Sequence, residues 1–331
     1  MADTIRAAVV VAHGGPEVLE LQNIPAPEPA EGELVVETTR AGVNFRDIVD
    51  RRGDPPVLFS PPYVGGLEGM GRVLKIGAGV SGYSVGDRVA WGTNPGSYTE
   101  HALIKAINAV PVPESVSDDQ AAGVLAQGLT AHYLTTSVHS IAEGETILVH
   151  AGAGGVGGLL IQIAKHRGAT VIATVSSPDK AERARRSGAD VVADYENFVQ
   201  VVSDETDGRG VQVAYDGVGA PTLDGTLSSL GVRGLGVFFG GSGGSPETLD
   251  FNKLAPKSLT ICRPVLPHFV ASGEELRTRA AQLFEWIQSG VLEIPIGATF
   301  SLAEAAEAHR MVESRTTTGK VLLNTVGSTE R

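Results

Sequence analysis

The spacing of apolar and polar positions changes character part-way along the chain. Up to about residue 125 the apolar runs are short and rich in β-branched residues, at 7–11, 33–37, 71–76 and 87–91. Gly- and Pro-rich punctuation separates them, as in Pro25-Ala-Pro-Glu-Pro29 and Ser81-Gly-Tyr-Ser-Val-Gly86. Short runs between turn formers predict strands. Only a polar stretch near 47–52 competes as a helix.

From 147 onward the pattern alternates. Apolar runs at 147–150, 170–175, 190–193, 211–215, 235–239 and 259–262 are separated by helix-like segments near 155–167, 179–187, 197–206 and 221–231. Such alternation predicts a parallel sheet with helices on both faces. Six strands are the number in a complete doubly wound dinucleotide domain. Beyond Pro267, Leu276, Ala280, Leu283, Phe284 and Ile287 keep one apolar face of a long helix, which Gly290 ends. Ser301 and Glu304 have capping-box spacing and predict a second helix from 301, and 320–323 reads as a last strand. The fold class is therefore α/β: a doubly wound parallel-sheet domain at 126–267, inserted in a β-rich domain formed by 1–125 and 268–331.

One stretch says what the inserted domain binds. Gly152, Gly154 and Gly157 fall at G-x-G-x-x-G spacing between an apolar strand and the run Leu159-Leu-Ile-Gln-Ile-Ala-Lys-His166. In a strand-turn-helix context this is the phosphate-binding turn of a Rossmann domain. One glycine makes the tight turn, one lets a pyrophosphate approach the backbone, and one packs helix on strand. The helix start offers unpaired N–H groups and the positive end of its dipole. The pyrophosphate turn thus comprises Gly152, Gly154, Gly155, Val156 and Gly157.

Composition narrows the class. A length of 331 residues predicts two domains. No apolar span reaches the ~20 residues of a membrane helix, and the N-terminal stretch lacks a signal-peptide core. The single cysteine, Cys262, excludes a disulfide framework and a multi-cysteine zinc site, and points to a cytoplasmic location. A net charge of −12 argues against a nucleic-acid partner, which needs a basic footprint.

The end of the second strand of such a domain selects the nucleotide. A carboxylate there would bind the ribose 2′-hydroxyl of NAD. This chain has Ser176 and Ser177 instead, with Lys180 just beyond. Hydroxyls and a cation suit a 2′-phosphate, so NADP(H) is the predicted cofactor. Asp179 counts against it unless it starts the next helix facing away.

Several motifs together resemble the medium-chain dehydrogenase/reductase superfamily, and within it the zinc-free NADPH:quinone oxidoreductase (zeta-crystallin-like) branch. They are Ala41-Gly-Val-Asn-Phe-Arg-Asp47, Gly66-Leu-Glu-Gly-Met-Gly71, Val85-Gly-Asp-Arg-Val89, Gly128-Leu-Thr-Ala131, His150-Ala-Gly-Ala-Gly-Gly-Val-Gly157, Tyr215-Asp-Gly-Val-Gly219 and Gly319-Lys-Val-Leu322. The resemblance implies that the β-rich domain is a GroES-like catalytic domain. It implies Asn44 beside the nicotinamide, and Thr130 and Tyr133 lining the cofactor. Ser176, Lys180 and Tyr195 would lie at the adenine and 2′-phosphate end. Val218, Phe239, Gly240 and Arg315 would reach the cofactor from later loops. Relatives often pair into a homodimer through the last sheet strand, here 258–263, whose exposed edge would favour a copy of itself.

Zinc members of the superfamily carry cysteine where this chain has Asn44 and histidine where it has Leu67. Catalytic zinc needs three protein ligands and an open position, so no metal is expected. Without a Lewis acid the substrate has to accept hydride readily, as a quinone or an enone does. Asn44, Asp47, Arg51 and Tyr63 are the candidate catalytic residues, with no spacing that marks an acid/base pair. Some quinone reductases have tyrosine where this chain has Val49, and proline is usual where it has Gly65. Quinone reduction is the leading expectation, with enoyl or alkenal double-bond reduction as the rival. A non-catalytic NADPH-binding protein is a third possibility.

Overall fold

The computed structural model describes residues 3–315, 317 and 319–326, so Met1, Ala2 and the residues from 327 on lie outside the description. Two compact units emerge, Met1–Ala126 with Val270–Arg331, and Gln127–Phe269.

In the first unit the described residues form a seven-stranded sheet around the long strand Glu33–Val43. This strand pairs antiparallel with Glu68–Ile76, His101–Lys105 and Lys320–Asn324. Its register sets Gly42 opposite Glu68 and Val43 opposite Val321. Three segments far apart in sequence, ending at Asn44, Glu68 and Lys320, are therefore brought to one place by strand pairing alone. Leu34, Val36, Val89, Trp91 and Ile104 pack one core beneath the sheet. A second sheet holds Leu19–Pro25, Thr4–Val10 and Tyr63–Val64.

The predicted long helix is Gly273–Gln288. Its cap Ser272 accepts from Glu275 N–H, its apolar face is buried, and Gly290 follows with a left-handed φ of 75°. At Ser301 the Glu304 carboxylate accepts from the Ser301 N–H and hydroxyl, but a 3₁₀ turn, Leu302–Glu304, precedes the α-helix Ala305–Glu313. The strands Leu19–Pro25, His101–Lys105 and Ile296–Ser301 were not predicted. Two of them follow an alternating exposure pattern on a half-solvated sheet, where polar residues dilute the apolar signal.

The second unit is a six-stranded, wholly parallel sheet in the order Val191–Ala193, Thr170–Thr174, Thr146–Val149, Val211–Asp216, Leu230–Phe238 and Thr260–Cys262. Strand order reverses on either side of Thr146–Val149, and the crevice beyond that strand's carboxyl end is where open α/β sheets bind ligands. The helix predicted over 221–231 stops at Ser229, and Leu230 begins a strand instead. Leu230 is fully buried and pairs with Val211, with a register shift before Val213. The helix Asp118–Tyr133 was missed because Ala121, Ala122, Val124, Leu125, Leu129 and Ala131 are all buried and leave no single stripe to read. Among the described residues no helix is long and apolar enough to cross a membrane.

Candidate active site

The glycine turn has the predicted shape with one change of part. Gly154 is the N-cap of the helix Gly155–His166, and no side chain caps it, so the first N–H groups are left for an external acceptor. Gly154 is exposed. A Cβ on Gly152 would stand 2.8 Å from Ala173 Cβ and 3.1 Å from Ile161 Cδ1, which makes it the helix-to-strand packing glycine. A Cβ on Gly157 would collide with Ala151 O, and one on Gly155 with the Gln127 side chain. Val156 sits half-buried in the first helical turn. The left-handed residue of the turn is Ala151, at φ 52°, and none of the three glycines. Its N–H donates to Tyr195 Oη at 3.1 Å and its carbonyl accepts from Gly154 N–H at 2.8 Å, so the strained conformation is held from both sides.

Beneath the turn lies a polar chain that sequence reasoning missed. Buried His150 meets Thr174 Oγ1 at 2.8 Å through Nδ1 and Thr226 Oγ1 at 2.9 Å through Nε2. Thr226 and Thr222 donate to Asp216 Oδ2, while Asp216 Oδ1 accepts from the N–H groups of Val218 and Gly219. A carboxylate that only accepts sets the direction of every bond: Nε2–H donates to Thr226, and Nδ1 accepts from Thr174. Burial pushes the imidazole down to about 4, so it stays neutral. The carboxyl ends of three strands are thereby tied together, and the Val218 loop is fixed to its strand. Phe239 N–H donates to Asp216 O, and a Cβ on Gly240 would lie 2.7 Å from Gly217 O, so the next loop packs on the same carbonyl-lined turn.

At the end of the second strand, Ser177 caps the helix Pro178–Arg186 by accepting from Lys180 N–H, and Lys180 Nζ donates to Ser176 Oγ at 2.8 Å. The predicted hydroxyl-and-cation group is one hydrogen-bonded cluster, with exposed Asp179 in the first turn of that helix. Thr130 is half-buried. Tyr133 is almost wholly buried with its ring stacked on Phe269 at 4.3 Å, which gives it a packing function. Arg315 is exposed just past the last helix, with φ 57°.

In the first unit, Asn44, Glu68 and Lys320 form a buried triad. Lys320 Nζ donates to Glu68 Oε2 at 2.6 Å and to Asn44 Oδ1 at 2.8 Å, and Asn44 Nδ2 donates to Glu68 Oε2 at 2.9 Å. Glu68 Oε1 accepts from Ala126 N–H at 2.8 Å. Gly42 is needed beside them, since a Cβ there would strike Ala122 O and the Glu68 carboxylate. Within the triad Asn44 uses one of its two Nδ2 hydrogens, and the other N–H is left over. Glu68 and Lys320 lay in motifs already noticed, but nothing in the sequence said that they meet.

Asp47 and Tyr63 line one small cavity, while Arg51 lies apart from it. Arg51 is fully buried, donating to Gly14 O at 3.1 Å, to His309 Nδ1 at 3.2 Å and to Glu313. The expectation that Arg51 serves catalysis is corrected: its guanidinium pins the helix Phe45–Arg52 to Ala305–Glu313. Arginine can only donate, so His309 Nδ1 accepts and its Nε2–H donates to Tyr98 Oη at 3.2 Å. Tyr98 in turn donates to Asp47 Oδ2 at 2.9 Å, and Asn44 N–H donates to the same oxygen at 2.8 Å. Burial, with Arg51 beside it, lowers His309 to about 3. Asp47 moves the other way, because burial pushes its carboxyl up to about 7 against the lowering pull of these hydrogen bonds and of Lys320. Tyr63 is half-buried, and its ring lies 5.2 Å from Phe59.

A doubly wound parallel α/β unit and a β-rich unit with a buried polar cluster are the architecture of a dehydrogenase/reductase. The model of the zinc-binding dehydrogenase family matches residues 155–286, and that of the alcohol dehydrogenase GroES-like domain matches 30–143. A quinone oxidoreductase of Pseudomonas aeruginosa is 40% identical, with 94% of this chain and 97% of the relative covered. A 2-haloacrylate reductase of Burkholderia is 36% identical over 96% of this chain and 98% of the relative. A solved mycobacterial structure complexed with NADPH has 43% identity and a TM-score of 0.92, covering 97% of this chain and 99% of its own. The chain belongs to the medium-chain dehydrogenase/reductase superfamily, in its quinone oxidoreductase branch. The first family's description names zinc, and the residues here do not fit it. Among the described residues no three His, Cys, Asp or Glu side chains could hold a metal ion, and the Lys320 ammonium already fills the polar niche between Asn44 and Glu68.

Proposed function

We propose that this protein reduces quinones with NADPH by hydride transfer, without a metal. The observation that carries the reading is the pairing of an uncapped, glycine-lined helix start with the Ser176–Lys180 cluster at the next strand's end. The first suits a pyrophosphate and the second a 2′-phosphate. NADPH, when bound, supplies the hydride. Gly154, Gly155, Val156 and Gly157 would cradle its diphosphate, with Ser176, Ser177, Lys180 and Tyr195 at the adenosine end and Thr130, Val218, Phe239, Gly240 and Arg315 elsewhere along it. Asn44 orients nicotinamide or substrate through its remaining N–H. The quinone assignment draws support from the Pseudomonas relative. We further propose a homodimer paired through Thr260–Cys262, the edge strand of the sheet.

Reduction of an activated carbon–carbon double bond is the second reading. It needs a proton for the α-carbon, and a buried carboxyl pushed up to about 7, Asp47, is the kind of group that donates one near neutral pH. Stopped-flow oxidation of NADPH with 9,10-phenanthrenequinone and with a 2-enoyl thioester, side by side, separates the two. Turnover of the quinone is expected, and turnover of the thioester alone overturns the first reading. Tight NADPH binding with no acceptor reduced would leave a cofactor-binding protein.

A further inference from the structure

Asp47 and Tyr63 face one small cavity, and neither completes its hydrogen bonding within the protein. The cavity, also walled by Asp50, Phe59, Leu67 and His309, has a volume of about 10 Å³, enough for a single water. Asp47 Oδ1 and Tyr63 Oη are buried and have no partner among the described residues. Two buried, unsatisfied polar atoms on residues that line one water-sized space cost free energy unless something bridges them.

The hydrogen-bond directions decide where the Asp47 proton resides. Arg51 fixes His309, His309 fixes Tyr98, and Tyr98 and the Asn44 N–H both donate to Oδ2. Oδ2 is thus held as an acceptor, and a proton on this carboxyl sits on Oδ1, the unpartnered oxygen. We propose that the Asp47 carboxyl, through one water shared with the Tyr63 hydroxyl, is the proton donor that completes reduction of the acceptor. The inference rests on the reading of the chain as a reductase.

The chemistry balances. Hydride leaves a quinone as the hydroquinone monoanion, or an enone as the enolate. The Asp47 O–H bond breaks, its proton passes to the water, and a water proton forms the new O–H or C–H bond of the product. The carboxylate is then reprotonated from solvent. The surrounding charges are compatible with a proton held near neutrality. Burial and Asp50, which faces Asp47 from its own helix beside Arg46 and Arg51, favour the protonated form, while Lys320, from the last strand and paired to Glu68, opposes it. His309, on the helix that also carries Glu313, is neutral. Tyr63, pushed up to about 12 mainly by burial, stays a hydroxyl able to donate or accept.

Infrared difference spectroscopy on the full chain without ligands tests the site directly. A protonated-carboxyl band should titrate near pH 7 and be missing in Asp47→Asn, whose amide reproduces the shape and donor of the protonated acid. Tyr63→Phe should keep the band and shift its midpoint. In single-turnover reduction the wild-type rate should fall as pH rises above about 7. Asp47→Asn should give a pH-independent rate about 10²-fold lower at pH 6, with NADPH affinity unchanged. A carboxyl titrating near the ordinary value of about 4, or a wild-type rate in Asp47→Asn, overturns the proposal alone. Failure of the unmodified enzyme to oxidise NADPH with either acceptor overturns the reductase reading, and with it the proton's destination, while the carboxyl band would still titrate.

Discussion

Replacing Lys320 by Met tests the triad most severely. The substitution keeps the stem of the side chain and removes the ammonium, which lies 2.6 Å from Glu68 Oε2 with side-chain exposures of 2% and 0% for the two partners. Glu68 would retain the Asn44 Nδ2 and Ala126 N–H bonds and lose its countercharge. An exposed pair would cost at most about 1 kcal/mol to break, whereas stripping one partner from a buried pair costs about 3–5 kcal/mol. The burial here selects the larger figure. Both tryptophans, Trp91 and Trp286, belong to the first unit, so intrinsic fluorescence during urea unfolding reports on the unit that holds the triad. Glu68→Gln alone should also destabilise, and Lys320→Met combined with Glu68→Gln should cost clearly less than the sum of the two, because the second change removes the charge that the first leaves stranded. A loss below about 1 kcal/mol for Lys320→Met, or strict additivity, would refute the reasoning.

Other outcomes are expected from the same geometry. Lys180→Ala should weaken NADPH by about 1.5–3 kcal/mol, the value of a hydrogen bond to a charged group, and leave NADH unchanged in calorimetric titration. Asp47 has a folded pKa of about 7 against an unfolded value of 3.8, so its favourable contribution is fully present below about pH 4 and gone above about pH 7. That difference is about 4 kcal/mol, and urea unfolding at pH 5 and pH 8 should show Asp47→Asn gaining stability over the wild type as pH rises. Gly157→Ala should lower thermal stability by about 1–3 kcal/mol through its clash with Ala151 O. Gly154→Ala, whose Cβ approaches Ala151 O at 3.1 Å, should lower melting less than Gly157→Ala and impair NADPH binding.

The second unit was more legible than the first, for a reason visible in its strands. A parallel sheet buried on both faces writes continuous apolar runs, and five of the six strands were read within a residue of their places, while the strand read at 235–239 begins five residues earlier at Leu230. The first unit's sheet alternates buried and exposed positions, so His101–Lys105 and Ile296–Ser301 carried too little contrast to be noticed. Ser176, Ser177 and Lys180 lie within one strand-to-helix turn, and local spacing was enough to group them. Arg51 was misjudged because a charged residue in a helix looks available until Glu313 and His309 are placed against it.

The sequence by itself determined what is local: the glycine turn, the alternation of strands and helices from Thr146 onward, the capping box at Ser301, and the hydroxyl-lysine group after the second strand. These depend on residues within a few positions of one another, where backbone geometry leaves few choices. The tertiary structure alone decided that Asn44, Glu68 and Lys320 meet, since their encounter depends on the register of Glu33–Val43 with two distant strands. It alone decided that Asp47 is held at one oxygen and unpartnered at the other, because that asymmetry is imposed by Tyr98 and His309 from elsewhere in the chain. A side chain's type is written in the sequence, but its proton and its partners are set by what folding buries beside it.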